Sequence, residues 1–210
     1  MNRRAMTVKF PNLSLRSALV AIAATCTLAL AACGGATSEN PPLEGATIGG
    51  DFTLQGKGGK PVRYSDFNGK YRIVYFGYTF CPDVCPVDLQ NIAQGLKLFA
   101  KDHPDLAAKV QPLFITIDPE RDTPDVVTSY AANFGPAVIG LSGTPAQIDA
   151  VAKQWAVFHQ RRDDDGSSSE YLMDHSRAAY LMGTRGEPIA LLPAEKDAQS
   201  VAADLARWVR

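Results

Sequence analysis

Ile73-Val74-Tyr75-Phe76-Gly77-Tyr78-Thr79-Phe80-Cys81-Pro82-Asp83-Val84-Cys85-Pro86 is the stretch on which the reading of this chain turns. Its first six residues form a nearly unbroken apolar run, the pattern of a central strand buried on both faces. Its last six hold two cysteines and two prolines. Pro86 has no amide proton and is best tolerated where a helix begins, so a helix is expected from about Pro86 with Cys85 at its N-terminus. The stripe Leu89, Ile92, Ala93, Leu96, Phe99 and Ala100 continues that helix. At a helix start the unpaired amides and the dipole favour a thiolate over a thiol. Pro82 turns Cys81 back, so a second sulfur converges on the same spot.

Working outward, Asp51 to Leu54, a Gly-rich turn at Gly56 to Gly59, and Val62 to Tyr64 predict an N-terminal hairpin. Leu113 to Ile117 reads as a second buried strand, and Val138 to Leu141 as a third. Thr123-Pro124 and Thr144-Pro145-Ala146-Gln147 are helix starts, the second with a capping box. Asp163 to Glu170 is a polar, Ser-rich loop tip. Ala178 to Met182 and Ile189 to Leu192 predict a closing hairpin, and Val201, Leu205, Trp208 and Val209 mark a last helix. Strands alternating with helices before a final hairpin and helix imply one α/β domain, and no internal repeat is visible.

The chain has 210 residues, 46% of them hydrophobic, with net charge −1. That excludes a disordered or collagen-like chain and offers no basic surface for nucleic acid. The charge is unevenly placed. Residues 1 to 32 hold four basic residues (Arg3, Arg4, Lys9, Arg16) and no acid, leaving 17 basic and 22 acidic residues to the rest. A basic head, the apolar run Ala18 to Ala32 and small residues before Cys33 have the layout of a bacterial lipoprotein signal, cleaved ahead of a cysteine that takes the lipid. A retained membrane anchor is the alternative; Arg3-Arg4 fits a twin-arginine signal poorly. Either way the domain faces outward. Residues 33 to 50, rich in Gly, Pro and small side chains, read as a tether, with the domain over 51 to 210.

The leader takes Cys26 with it and lipid consumes Cys33, so Cys81 and Cys85 are the two thiols left in an oxidising compartment. Soft thiolates select Cu(I), Zn or iron–sulfur chemistry, and two are too few for a closed zinc site or a cluster. Trigonal Cu(I) needs one more ligand, ideally an imidazole. His103 reads as a solvated helix cap and His159 as a strand residue. His175, beside Asp174 and just before a strand, is left open between ligand and bystander. A structural disulfide is the plainer reading of the cysteine pair, although so small a loop constrains little.

Cys81-Pro82-Asp83-Val84-Cys85-Pro86 after the Phe76-to-Phe80 strand end, then Asp118-Pro119-Glu120-Arg121-Asp122-Thr123-Pro124, then Asp174-His175-Ser176, together resemble the SCO/SenC family of cytochrome oxidase copper-assembly proteins over about residues 42 to 208. The resemblance implies a thioredoxin-like fold, a central sheet flanked by helices with an N-terminal hairpin and an extra loop before the histidine. It implies one copper, as Cu(I) or Cu(II), on Cys81, Cys85 and His175, destined for the dinuclear copper centre of oxidase subunit II. Asp174 would then orient the imidazole, and the Asp118 to Pro124 loop would shape the site. Expected partners are oxidase subunit II and a periplasmic copper donor or thiol reductant. The expected place is the periplasmic side of a bacterial membrane, the inner one, held by lipid on Cys33.

Two other functions compete with a non-enzymatic metallochaperone. One is a thiol–disulfide reductase that keeps oxidase cysteines reduced, with Cys81 and Cys85 as its redox pair. The other is a peroxidase or a copper or redox sensor on the same scaffold. A thioredoxin-type oxidoreductase would show Cys-x-x-Cys, and the extra residue here widens the bite toward a metal. A peroxiredoxin needs one peroxidatic cysteine in a Pro/Thr-rich pocket, which this sequence lacks.

Overall fold

The structure, a computed structural model, describes residues 39–163 and 171–210. The expected leader with Cys26 and Cys33, and residues 164–170 of the expected polar loop, lie outside them. One compact unit spans Asn40–Arg210. Its main sheet has five strands. β3 (Tyr71–Gly77) is the middle strand, with six of seven residues buried. It pairs in parallel with β4 (Val110–Thr116), which pairs in parallel with β5 (Ile139–Leu141). On its other side it runs antiparallel to β8 (Ala179–Met182), followed by β9 (Pro188–Leu192). Helices flank the sheet, so β3 is apolar at consecutive positions from Ile73 to Phe76 rather than at alternate ones.

Tyr75 points to the face of α1 (Val84–Asp102), where its hydroxyl reaches Asp88. Phe114, opposite Tyr75 in register, meets Tyr130 of α3 (Pro124–Ala132) on that face. A one-turn helix, α2 (Pro104–Ala107), separates α1 from β4. Phe76, one residue on, turns to the opposite face and meets the fully buried Trp155, at the end of α4 (Pro145–Gln154). Phe52, Tyr64 and Tyr180 close around the same indole. Phe52 and Tyr64 flank the hairpin of β1 (Thr53–Gln55) and β2 (Pro61–Arg63), which is thereby seated on the sheet. α5 (Ala198–Trp208) packs on α1 at Gly95, where a Cβ would lie 2.6 Å from Val201. Thr123 and Thr144 cap α3 and α4 through the amides of Val126 and Gln147, as their Thr-Pro starts predict.

Three boundaries differ from the sequence reading. The tether ends earlier than residue 50, because Leu43 donates to the Ile189 carbonyl and Leu43 and Ile48 pack against the core. α1 begins at Val84 with Asp83 as its cap, which puts Cys85 and Pro86 second and third in the helix. Proline fits there because none of the first four amides has a partner within the helix. The extra loop before the histidine is an antiparallel ribbon, β6 (His159–Asp163) paired with β7 (Tyr171–His175), so His175 lies in a strand and opposite His159. Among the described residues no helix is long and apolar enough to cross a membrane.

Candidate metal centre

Three elements converge at the C-terminal end of β3. Gly77 ends the strand, and a Cβ there would stand 2.8 Å from Cys85 Sγ and 3.0 Å from Phe114. Glycine therefore lets the helix bring its sulfur against the strand. Asp122, from the Asp118 to Pro124 loop, accepts from the amide and hydroxyl of Thr79 and from the hydroxyl of Thr116. Those bonds fix the bend from Tyr78 into Cys81. The Cys85 amide, one of the free donors of the first helical turn, points at Cys81 Sγ at 3.4 Å.

β7 supplies the third group. His175 Nε2 lies 3.3 Å from Cys85 Sγ. Its Nδ1 is 2.9 Å from the Ser176 carbonyl oxygen. A carbonyl can only accept, so Nδ1 carries a proton, and Nε2 is the ring nitrogen turned to the cysteines. Tyr78 stands edge-on to the imidazole, and its hydroxyl accepts from the Met173 amide of the same strand. Lower on the ribbon the Tyr171 hydroxyl donates to Asp118, while Arg121 donates to Asp118 and to the Tyr171 carbonyl and stacks 3.6 Å from the Tyr171 ring. The Asp118 to Pro124 loop thus holds both the strand end and the ribbon.

The donor atoms of Cys81, Cys85 and His175 all lie within 4.8 Å of one another. Two sulfurs and one imidazole make a soft, three-donor set without a carboxylate, which fits copper and leaves zinc short of its usual fourth ligand. His159 is turned away to Asp149, 3.3 Å distant, and His103 closes α1 with its ring against Phe99. The orienting role expected of Asp174 is not met. Its half-exposed carboxylate faces Arg162 at 3.8 Å, because successive residues of a strand point to opposite faces. The Ser176 carbonyl holds the ring instead. Sequence reasoning named Arg121 only as part of the site-shaping loop, and it missed Tyr78, Tyr171, Asp88 and Arg177. Asp88 carries the one available signal, a carboxylate on the helix side that bears Cys85.

The two thiols are unlike. The Cys85 thiol donates to Cys81 and, together with the His175 ring and the amides of Asp83 and Cys85, brings the Cys81 pKa down to about 4 against the opposing effect of burial. The Cys81 thiolate and burial push Cys85 up. Near neutral pH the reduced pair is one thiolate and one thiol. Brief treatment of the reduced metal-free protein with iodoacetamide should therefore modify half-buried Cys81 and spare buried Cys85. Because the thiolate is the reactive form, the rate should stay level as pH falls and drop only toward about 4, whereas a free thiol with a pKa near ~8.5 slows throughout. Peptide mass mapping checks this, and labelling at Cys85 first would contradict it.

The SCO1/SenC family model matches residues 40–210. Protein SCO2, mitochondrial, of Saccharomyces cerevisiae is 42% identical over 154 residues, which cover 73% of this chain and 50% of that protein. The chain thus spans about half the length of that relative. ScoI of Bradyrhizobium japonicum, solved with copper bound, is 38% identical with a TM-score of 0.67 over 77% of this chain and 99% of that one. ScoI of Arabidopsis thaliana, also solved with copper bound, is 34% identical with a TM-score of 0.69 over 76% and 96%. With its central sheet, thioredoxin-like architecture and paired cysteines, the chain belongs to the SCO1/SenC family.

Proposed function

We propose that the protein is a membrane-tethered copper carrier that binds one copper through Cys81, Cys85 and His175 and passes it to the dinuclear centre of cytochrome oxidase subunit II. The observation that carries this reading is the cluster itself, two sulfurs and an imidazole nitrogen within 4.8 Å. Copper in the Bradyrhizobium and Arabidopsis relatives supports it. Copper is cargo here. Cys81 is half-buried, so the metal has a route to a partner, while Gly77, Tyr78 and Asp122 keep the donors in place. The test is oxidase activity in a strain lacking this chain. Activity should be lost, return with added copper, and return without it when the intact gene is supplied. Loss that copper does not mend, yet a thiol reductant does, would favour the reductase role.

The tether rests on Cys33. Each buried acyl methylene contributes about 0.8 kcal/mol, so two or more chains hold the domain at a bilayer where one does not. Cys33→Ser should accumulate full-length precursor, and the wild type should partition into detergent. An unmodified N-terminus downstream of Cys33, found by mass spectrometry, would rule lipidation out.

A further inference from the structure

His175 ends a ribbon whose two strands pair with each other, apart from the central sheet, whereas Cys85 is on α1 against that sheet. The distance between imidazole and thiol therefore depends on the bonds from Tyr78, Asp118 and Arg121 to the ribbon and on what pins the short linker from β7 back to β8. That linker carries Arg177. Its guanidinium forks onto Asp88, Nε to Oδ2 at 2.7 Å and Nη2 to Oδ1 at 2.6 Å. Asp88 lies one turn beyond Cys85 on the same side of α1, its side chain 1% exposed. Tyr75 of β3 donates to the same carboxylate at 2.9 Å. One buried carboxylate thus joins the central strand, the cysteine helix and the histidine linker. A two-point fork fixes direction as well as distance, which a lysine ammonium cannot do.

We propose that Asp88 and Arg177 are positioning residues that clamp His175 Nε2 against Cys85 Sγ, and so set how tightly the site holds its metal without touching it. The proposal rests on the copper reading above. A pair that served stability alone would act on the whole domain, and a buried ion pair contributes little net stability because desolvation offsets its attraction. A clamp acts through one ring. Its effect must disappear when that ring is gone.

The experiment is a double-mutant cycle on the reduced protein, with copper affinity read by chelator competition and folding by circular dichroism. Arg177→Met and Arg177→Lys should each weaken copper by ~10–100-fold, the range for losing a partner that orients a ligand. The double variant Asp88→Asn/Arg177→Met leaves no buried charge unpaired, so it should melt near the wild type and still bind weakly. In a His175→Ala background the Arg177 substitutions should change affinity by less than about twofold, the scatter of independent sites. Wild-type affinity in the folded double variant, or an equal loss with and without His175, would overturn the clamp. A metal-free reading separates it from the copper assignment. In reduced apoprotein the 15N resonances of the His175 ring should move toward those of a free imidazole in Arg177→Met, and unmoved resonances would count against it. Failure of the copper reading would show as wild-type binding that does not depend on His175.

Discussion

His175→Ala is expected to lower copper affinity by more than ~100-fold, because losing only an outer partner of a ligand already costs 10–100-fold. Alanine at Cys81 or Cys85 should do at least as much. The three donor atoms converge within 4.8 Å, and among the described residues no carboxylate stands in the cluster to replace a lost ligand. His159, the nearest imidazole along the ribbon, is engaged with Asp149. The fold should persist, since His175 is half-buried at a strand end and the sheet is held by β3, β4 and β8. Copper uptake should also release the proton of the Cys85 thiol near neutral pH. Cys81 is already a thiolate, so of the two sulfurs it is the Cys85 thiol that must give up its proton. Chelator competition measures the affinity and its pH slope, with circular dichroism as the folding control. Tight stoichiometric binding by His175→Ala would sink the assignment.

What the sequence made legible follows from how far each signal travels along the chain. The run Ile73 to Tyr78 announces a central strand because burial on both faces is written into every residue of it. The Thr-Pro helix starts are local, and so are the two cysteines four positions apart. The ligand role of His175 was not readable from residues alone, because 90 residues separate it from Cys85 and the ribbon that delivers it forms by pairing His159 with His175. The family resemblance supplied that ligand; periodicity could not. The error at Asp174 came from taking sequence adjacency for spatial adjacency, which a strand reverses. Giving Pro86 the first helical position sets the start of α1 two residues late, because the third position is equally free of backbone demands. Arg177 and Asp88 are 89 residues apart, and nothing in either local pattern points to the other.

Oxidation of Cys81 and Cys85 to a disulfide should abolish copper binding, and reduction should restore it. Their sulfurs lie within 4.8 Å, and Cys81 as a thiolate is the group that attacks. The disulfide takes both sulfur donors at once and leaves His175 as the sole member of the set, too little to hold the metal. The rest of the molecule need not change. Gly77 and the first turn of α1 already place the sulfurs side by side, and the core around Trp155 lies on the other face of the sheet. The unequal thiols add a second signature. Forming the bond removes two electrons but only one proton, because Cys81 has already lost its own, so the midpoint potential should fall by ~30 mV per pH unit near neutrality instead of twice that. Copper titration of the oxidised and reduced forms at fixed pH, with circular dichroism on both, reads the first effect, and redox equilibration at several pH values reads the second. Equal copper binding by the two forms would require His175 and neighbouring oxygens to hold the metal alone. The gate would then be absent, and the cysteine pair would serve redox chemistry in its own right.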